Sequence, residues 1–227
     1  MYSILYSIIL TLIPGNMKSY EVPYTHHSLT ITGMGVDQQW TQAPILQDFS
    51  APWNEGSVPH TQFQALWDEV NFYFLFHAED ENIIAPGDPD DKRGVLPSDR
   101  VEIFFKANGG MDPYYCLEMD PRGRVLDYIA RYYRKVDFDW EWPEQDLEVK
   151  ASHTDDHYTV EGRISLQALR EMGILRGDEM EAGLFRGDYY PVEGHDNQVN
   201  WISWIKPESV KPDFHIPSAF GKMLLVR

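Results

Sequence analysis

Residues 97–110, PSDRVEIFFKANGG, set Asp99, Arg100 and Glu102 at the head of a run that continues Ile103, Phe104, Phe105. A charge in a buried strand is costly unless it reaches water, meets an opposite charge or serves a ligand. Alternate side chains of an extended chain face opposite ways, so Val101, Ile103 and Phe105 form one apolar face. Arg100, Glu102 and Phe104 form the other. A carboxylate, a guanidinium and a ring on one face suit a neutral, polyhydroxylated ligand. The ring stacks on C–H groups and the ions take hydroxyls, at about 1.5–3 kcal/mol per charged hydrogen bond where water is excluded. The competing reading is an ion pair of Glu102 with Arg100 or Arg186.

Other residues could join such a site. Arg186, in LFRGDYY, ends a strand, and its planar fork matches adjacent hydroxyls; a salt bridge to Glu102 or Glu118 is its alternative. Phe214 and His215 open a proline-bounded loop before the last strand, and loops at the end of a β domain carry function more often than strands do. Trp53, Trp140 and Trp142 could offer a flat plate, though packing is the commoner role for each. Asp80 and Asp99 end neighbouring strands around the acidic loop GDPDD. Calcium takes six to eight hard oxygens, so these two are candidate calcium ligands, against the reading of a solvated acidic loop.

Glu102 and Glu118 could also face each other as the carboxyl pair of a glycosidase. No nucleophile elbow, phosphate loop or zinc helix accompanies them, so a non-catalytic binder is favoured. A haem site would need axial His or Met, and His77, Met111, Met119 and Met180 are available without a paired pattern. The single cysteine, Cys116, excludes an internal disulfide and reads as a buried thiol.

These side chains need a scaffold. The chain has 227 residues, 43% hydrophobic and 14% aromatic, enough for one large β domain. A formal net charge of −17 repels nucleic acid and anionic membranes, so neither is expected as a partner. Short strand candidates recur between turns. QFQALWDEVNFYFLFHAED reads as a hairpin turning at residues 68–71, with Phe72, Phe74 and Phe76 on one face. YYCLEMDPRGRVLDYIARYYRK turns at residues 121–123. SLQALREMG is a short helix capped by Ser165 and ended by Gly173. The expected fold is all-β, a two-sheet antiparallel β-sandwich with one short helix.

Residues 4–14, ILYSIILTLIP, match an export-signal core in length and are too short for a bilayer, which needs roughly 20 residues. No Lys or Arg precedes them, and Met17-Lys18 reads as a start of its own. Residues 1–16 are expected to be a signal-like or over-extended leader before a single domain over 17–227. Export would place the protein outside the cell or in the periplasm; otherwise it is cytoplasmic.

The order QFQALWDEVNFYFLFHAED, SDRVEIFF, YYCLEMDPRGRVLD, YTVEGRISLQAL, GDEMEAGLFR, WISWIKP, FHIPSAFGKMLL resembles the family 9 carbohydrate-binding modules, within the DOMON-like β-sandwiches. The resemblance covers about residues 22–227. It implies a jelly-roll or immunoglobulin-like sandwich that binds glucan or xylan-derived saccharides, carries structural calcium and accompanies a glycoside hydrolase. It also implies a sugar-hydroxyl ligand at Glu102. The family's paired tryptophans fall at Leu96 and Phe214, an arginine at Glu118 and a glutamine near Phe185. The resemblance therefore implies a rebuilt slot.

Overall fold

Turn chemistry sets the strand boundaries. The Asp68 carboxylate accepts from the Val70 and Asn71 backbone N–H groups, both at 2.7 Å, and closes the first hairpin. Asp120 does the same for Arg122 and Arg124, both at 3.0 Å, at the second. The computed structural model describes residues 17–227; residues 1–16, which carry the expected leader, lie outside the described residues. In chain order the strands are β1 (Ser19–Pro23), β2 (Thr61–Trp67), β3 (Asn71–Glu79), β4 (Arg100–Ala107), β5 (Gly110–Met119), β6 (Val125–Arg131) and β7 (Lys135–Asp137). Then come β8 (Leu147–His153), β9 (His157–Ser165), helix α1 (Leu166–Glu171), β10 (Glu179–Tyr190), β11 (Gln198–Ser203) and β12 (Gly221–Val226).

They form the expected two-sheet sandwich. One sheet has eight strands in the order β1-β12-β10-β4-β5-β6-β7, with β11 also on β10; the other has four, β2-β3-β9-β8. The long β10 pairs β12 through its first residues and β11 through its last. One pairing departs from the antiparallel expectation: β1 runs parallel to β12, from Ser19↔Lys222 to Pro23↔Val226. The strand that covers an exposed edge can run either way, and here it shields β12. The Ser165 hydroxyl caps α1 by accepting from Ala168 N–H at 3.2 Å, and Gly173 leaves the helix at φ +69°, a left-handed conformation that favours glycine.

The alternation read from the sequence places the core. Val101, Ile103 and Phe105 of β4 meet Phe72, Phe74 and Phe76 of β3 in the cluster between the sheets. Burying a Phe stabilises by roughly 1.5–3 kcal/mol, so these six positions supply a large share of the drive. Cys116 is buried, as expected. A second apolar cluster, with Phe104, Tyr128, Phe185 and Phe214, lies on the opposite face of the eight-stranded sheet. A sandwich needs only one inner face, so an apolar cluster outside it marks a place where loops fold over the sheet. Five of the functional candidates, Arg100, Glu102, Glu118, Phe214 and His215, collect there.

Candidate functional site

Strand register builds the centre. Glu102 on β4 stands directly opposite Glu118 on β5. Two carboxylates facing each other repel, and Arg100 lies between them. Its Nε–H donates to Glu102 Oε1 at 2.9 Å, and the same Nε lies 2.7 Å from Glu118 Oε2. One N–H cannot serve both, so Glu118 Oε2 is buried without a hydrogen bond. Glu118 Oε1 accepts from the Tyr128 hydroxyl at 2.7 Å. Arg100 also donates to the Leu96 carbonyl at 3.0 Å and lies over the Trp201 ring, 5.2 Å from its centroid. A Cβ on Gly187 would press on Arg100 at 3.2 Å and Trp201 at 3.3 Å, so the bare glycine makes room for both.

The triad is deeply buried: Glu102 is 1% exposed, Arg100 and Glu118 4%. Burial first, and Glu118 second, push the Glu102 carboxyl well above the usual range, with Arg100 only partly opposing them. Burial works against the charge on Arg100, but Glu118 and Glu102 outweigh it and hold the guanidinium protonated. Arg100 and Glu102 thus lie on the outer face of β4, tied to each other beneath a cavity.

That cavity measures about 310 Å³. The triad lies along it together with Trp201, Phe138, Phe214 and His215. Phe214 stacks on Phe185 at 4.1 Å and 11°, and Trp201 meets Phe214 edge-on at 85°. These contacts fix two rings at right angles. His215 Nδ1 lies 2.8 Å from the Tyr114 hydroxyl, and burial pushes its pKa down to about 4, so the imidazole is neutral near pH 7. At the rim Arg134 pairs with Asp213 at 2.8 Å.

Five of the candidates, Glu102, Arg100, Glu118, Phe214 and His215, thus share one cavity. Trp53 does not line it; it packs behind Phe214 with ring centroids 5.7 Å apart, and its Nε1–H donates to the Ser209 carbonyl at 2.9 Å. Trp140 and Trp142 pack around Tyr115 in the inter-sheet cluster. Sequence reasoning missed the rings of Tyr128, Phe138 and Trp201, the last in a segment, NWISWIK, that carries two tryptophans facing opposite ways. Trp204 enters the core and Trp201 the cavity.

Arg186 does not join this cavity. It follows Ala182 and Leu184 in strand parity and points between the sheets. Its partners are neither Glu102 nor Glu118 but Asp188 at 2.6 Å and Asp80 at 3.2 Å, with the Glu79 carbonyl at 2.7 Å. Asp99 completes this second centre: one carboxylate oxygen each from Asp80, Asp99 and Asp188 lie within 4.8 Å of one another. Asp80 and Asp99 were expected together; Asp188 was not, and the acids of GDPDD are not in the group. All three carboxylates are buried beside one guanidinium. Burial, helped by Asp80 and Asp188, pushes the Asp99 carboxyl up to about 7 against the hydrogen bonds from Ile84 and Tyr189. Three buried carboxylates that offer hard oxygens this close together are a donor set that fits a calcium ion, whose charge would favour their ionised forms.

His77 lines a separate cleft of about 740 Å³ with His60 and His157. Its ring centroid lies 4.5 Å from that of His157. Met111, Met119 and Met180 sit in the two apolar clusters and do not line this cleft, so the haem pairing considered from the sequence is not assembled. No helix among the described residues is long and apolar enough to cross a membrane.

Solved structures share this architecture. A Bacteroides uniformis protein assigned to carbohydrate binding superposes with a TM-score of 0.68 at 16% identity, over 93% of this chain and 100% of that one. A family 9 carbohydrate-binding module from Caldicellulosiruptor kristjanssonii in complex with glucose gives 0.57 at 20% identity, over 92% and 96%. A family 9 carbohydrate-binding module from the same organism in complex with cellotriose gives 0.56 at 20% identity, over 92% and 93%. No curated protein matches the sequence. The family model described as "Carbohydrate family 9 binding domain-like" matches residues 31–227, and the chain belongs to that family.

Proposed function

We propose that the chain is a carbohydrate-binding module whose outer-sheet cavity takes the end of a β-glycan. The observation that carries this is the cavity itself, where fixed aromatic rings stand beside a buried Arg100–Glu102–Glu118 triad. Stacking supplies affinity for any pyranose face, and ionic hydrogen bonds orient the hydroxyls. The chemistry suits a neutral β-glucan or xylan-derived saccharide, with a glycoside hydrolase as the companion that consumes it. The two carboxylates bracket a guanidinium rather than a space the size of a glycosidic bond, which favours binding over hydrolysis.

Titration calorimetry with cellobiose and xylobiose tests the reading. Glu102→Ala leaves Arg100 and Glu118 as a neutral pair, so the fold is expected to survive, with an unchanged circular dichroism spectrum. Affinity is expected to fall by roughly 10–100-fold, the loss of one charged hydrogen bond. Trp201→Ala is expected to weaken binding about tenfold by removing a ring. Unchanged affinity in both variants removes the sugar from this cavity. Reducing-sugar release by the wild type, lost in Glu102→Gln and Glu118→Gln, makes it a hydrolase instead.

We also propose calcium at Asp80, Asp99 and Asp188. The ion would offset the buried negative charge and tie β10 to the segments that carry Asp80 and Asp99, a structural role away from the cavity. A ligand at 100 times its Kd stabilises a fold by about 2.7 kcal/mol, roughly 5–10 °C in Tm for a chain of this size. The chelated protein is expected to gain that much on calcium addition, and Asp99→Asn to gain almost nothing. An equal response in both rejects the site.

A further inference from the structure

The outer-sheet cavity sets two buried carboxylates against one buried guanidinium, and the raised Glu102 carboxyl holds a proton where a second cation would otherwise be needed. Its lining acids are Glu102, Glu118 and Asp213, and its lining bases are Arg100 and Arg134. Arg134 is matched by Asp213. Arg100 therefore faces two buried carboxylates alone. Its single Nε proton goes to Glu102 Oε1, which leaves Glu118 Oε2 with an ionic neighbour and no hydrogen. Among the described residues, no side chain or backbone group donates to the second oxygen of Glu102. His215 is neutral and adds no charge. Outside the cavity, Arg93 lies on the Phe138 ring 5.2 Å from its centroid, exposed to solvent. A second buried negative charge is costly, so Glu102 keeps its proton unless a cation enters, and Glu118 Oε2 is an acceptor without a donor.

We propose that this pocket selects saccharides by the charge on the terminal ring, taking an amino sugar in preference to the neutral sugar and excluding a uronic acid. The inference rests on the reading of the cavity as a saccharide site. An ammonium on the sugar ring can take the place of the proton held by the Glu102–Glu118 pair and brings up to three N–H donors. A neutral hydroxyl gives one donor and no charge. A uronate brings a third carboxylate to a floor that already holds its second one protonated, and like charges in a desolvated pocket repel strongly. The aromatic rings do not distinguish among the three, because they meet the C–H faces that all of them share. Charge then becomes the discriminating property.

The test is calorimetric titration of the full chain at pH 6.5 with glucose, glucosamine, N-acetylglucosamine and glucuronate. N-acetylglucosamine carries the same substituted carbon without a charge. Glucosamine is expected to bind at least tenfold more tightly than glucose and N-acetylglucosamine, with no detectable binding of glucuronate. Glu118→Gln leaves Arg100 and Glu102 balanced, so the ratio of glucosamine to glucose affinity is expected to collapse towards one. If that variant does not fold, the four wild-type titrations decide alone. Glucose binding with equal or weaker glucosamine binding overturns the charge selection and leaves the saccharide reading intact. Binding of none of these sugars, nor of cellobiose, overturns the saccharide reading and the selection with it.

Discussion

Arg186→Ala is expected to destabilise the fold by about 3–5 kcal/mol, the usual loss when one partner of a buried ion pair is removed. The side chain is fully buried, and it joins the two sheets. It reaches Asp188 on β10 at 2.6 Å, the Glu79 carbonyl on β3 at 2.7 Å and the Thr61 hydroxyl on β2 at 3.2 Å. The Tyr158 ring of β9 lies 5.5 Å from its guanidinium carbon. Removing it leaves three buried carboxylates facing one another. A typical domain is stable by only 5–15 kcal/mol, so this loss is a large fraction of the total. The midpoint of urea unfolding is the measurement, with Arg186→Lys as a milder partner that keeps the charge and loses the fork. Calcium should then matter more in Arg186→Ala, because the ion would be the remaining cation, and the calcium-induced rise in midpoint is expected to grow in that variant and to change less in Arg186→Lys. A loss under about 1 kcal/mol in Arg186→Ala sinks the clamp.

Arg186 also shows where sequence reasoning stops. The parity of β10 is legible: Ala182 and Leu184 are apolar, so residue 186 shares their face. Reading Arg186 as interior nonetheless required its counter-charges. Asp80 and Asp99 lie about a hundred residues away in sequence, and Asp188, two positions on, gave no sign of its own. The same limit applied to Trp201. Alternation separates it from Trp204 but does not say which of the two faces the core. By contrast, the strand of Glu102 was legible in full. Its apolar face is unbroken, and its opposite face carries the charges that the fold then assembles. Glu118 was read as able to face Glu102, although the resemblance implies an arginine there, and the register of β4 and β5 sets the two carboxylates opposite each other. Local chemistry in a strand or turn can be read from a line of letters; charge pairing between distant strands cannot.

The two buried centres use charge differently. At Arg186 the guanidinium is fully buried between the sheets, beneath the cleft that Asp80 and Asp188 line, and a vacancy there would be a structural defect. At Arg100 the guanidinium forms the floor of an open cavity, where an incoming ligand can complete the balance. Both hold more acid than base. In the first, the excess suits a metal ion that would fasten the sheets; in the second, it suits a ligand that comes and goes. An overall charge of −17 is thus not only a solubility device, because part of it is concentrated at two defined positions.

Arg100→Met is expected to cost about 3–5 kcal/mol at neutral pH, and the loss is expected to depend on pH with a definite sign. Without the guanidinium, Glu102 and Glu118 face each other across the register, and the folded state holds at least one of them protonated. An unfolded glutamate titrates near 4.3, as a rough reference. Between that value and the raised folded one, the folded state binds more protons than the unfolded state. Stability therefore falls as pH rises, by about 1.4 kcal/mol per pH unit for each proton held. The wild type should show the same slope in weaker form, since Arg100 pulls the Glu102 carboxyl down without returning it to the usual range. Urea unfolding at pH 5 and pH 8 measures both slopes. Arg100→Met is expected to lose more against the wild type at pH 8 than at pH 5. The triple variant Arg100→Met, Glu102→Gln, Glu118→Gln removes every charge at the floor and is expected to regain much of the loss and to flatten the slope. It is also expected to lose saccharide affinity, because glutamine amides cannot supply ionic acceptors. Equal losses at the two pH values would show that the two acids are not in electrostatic contact, and the account of the pocket floor would fall.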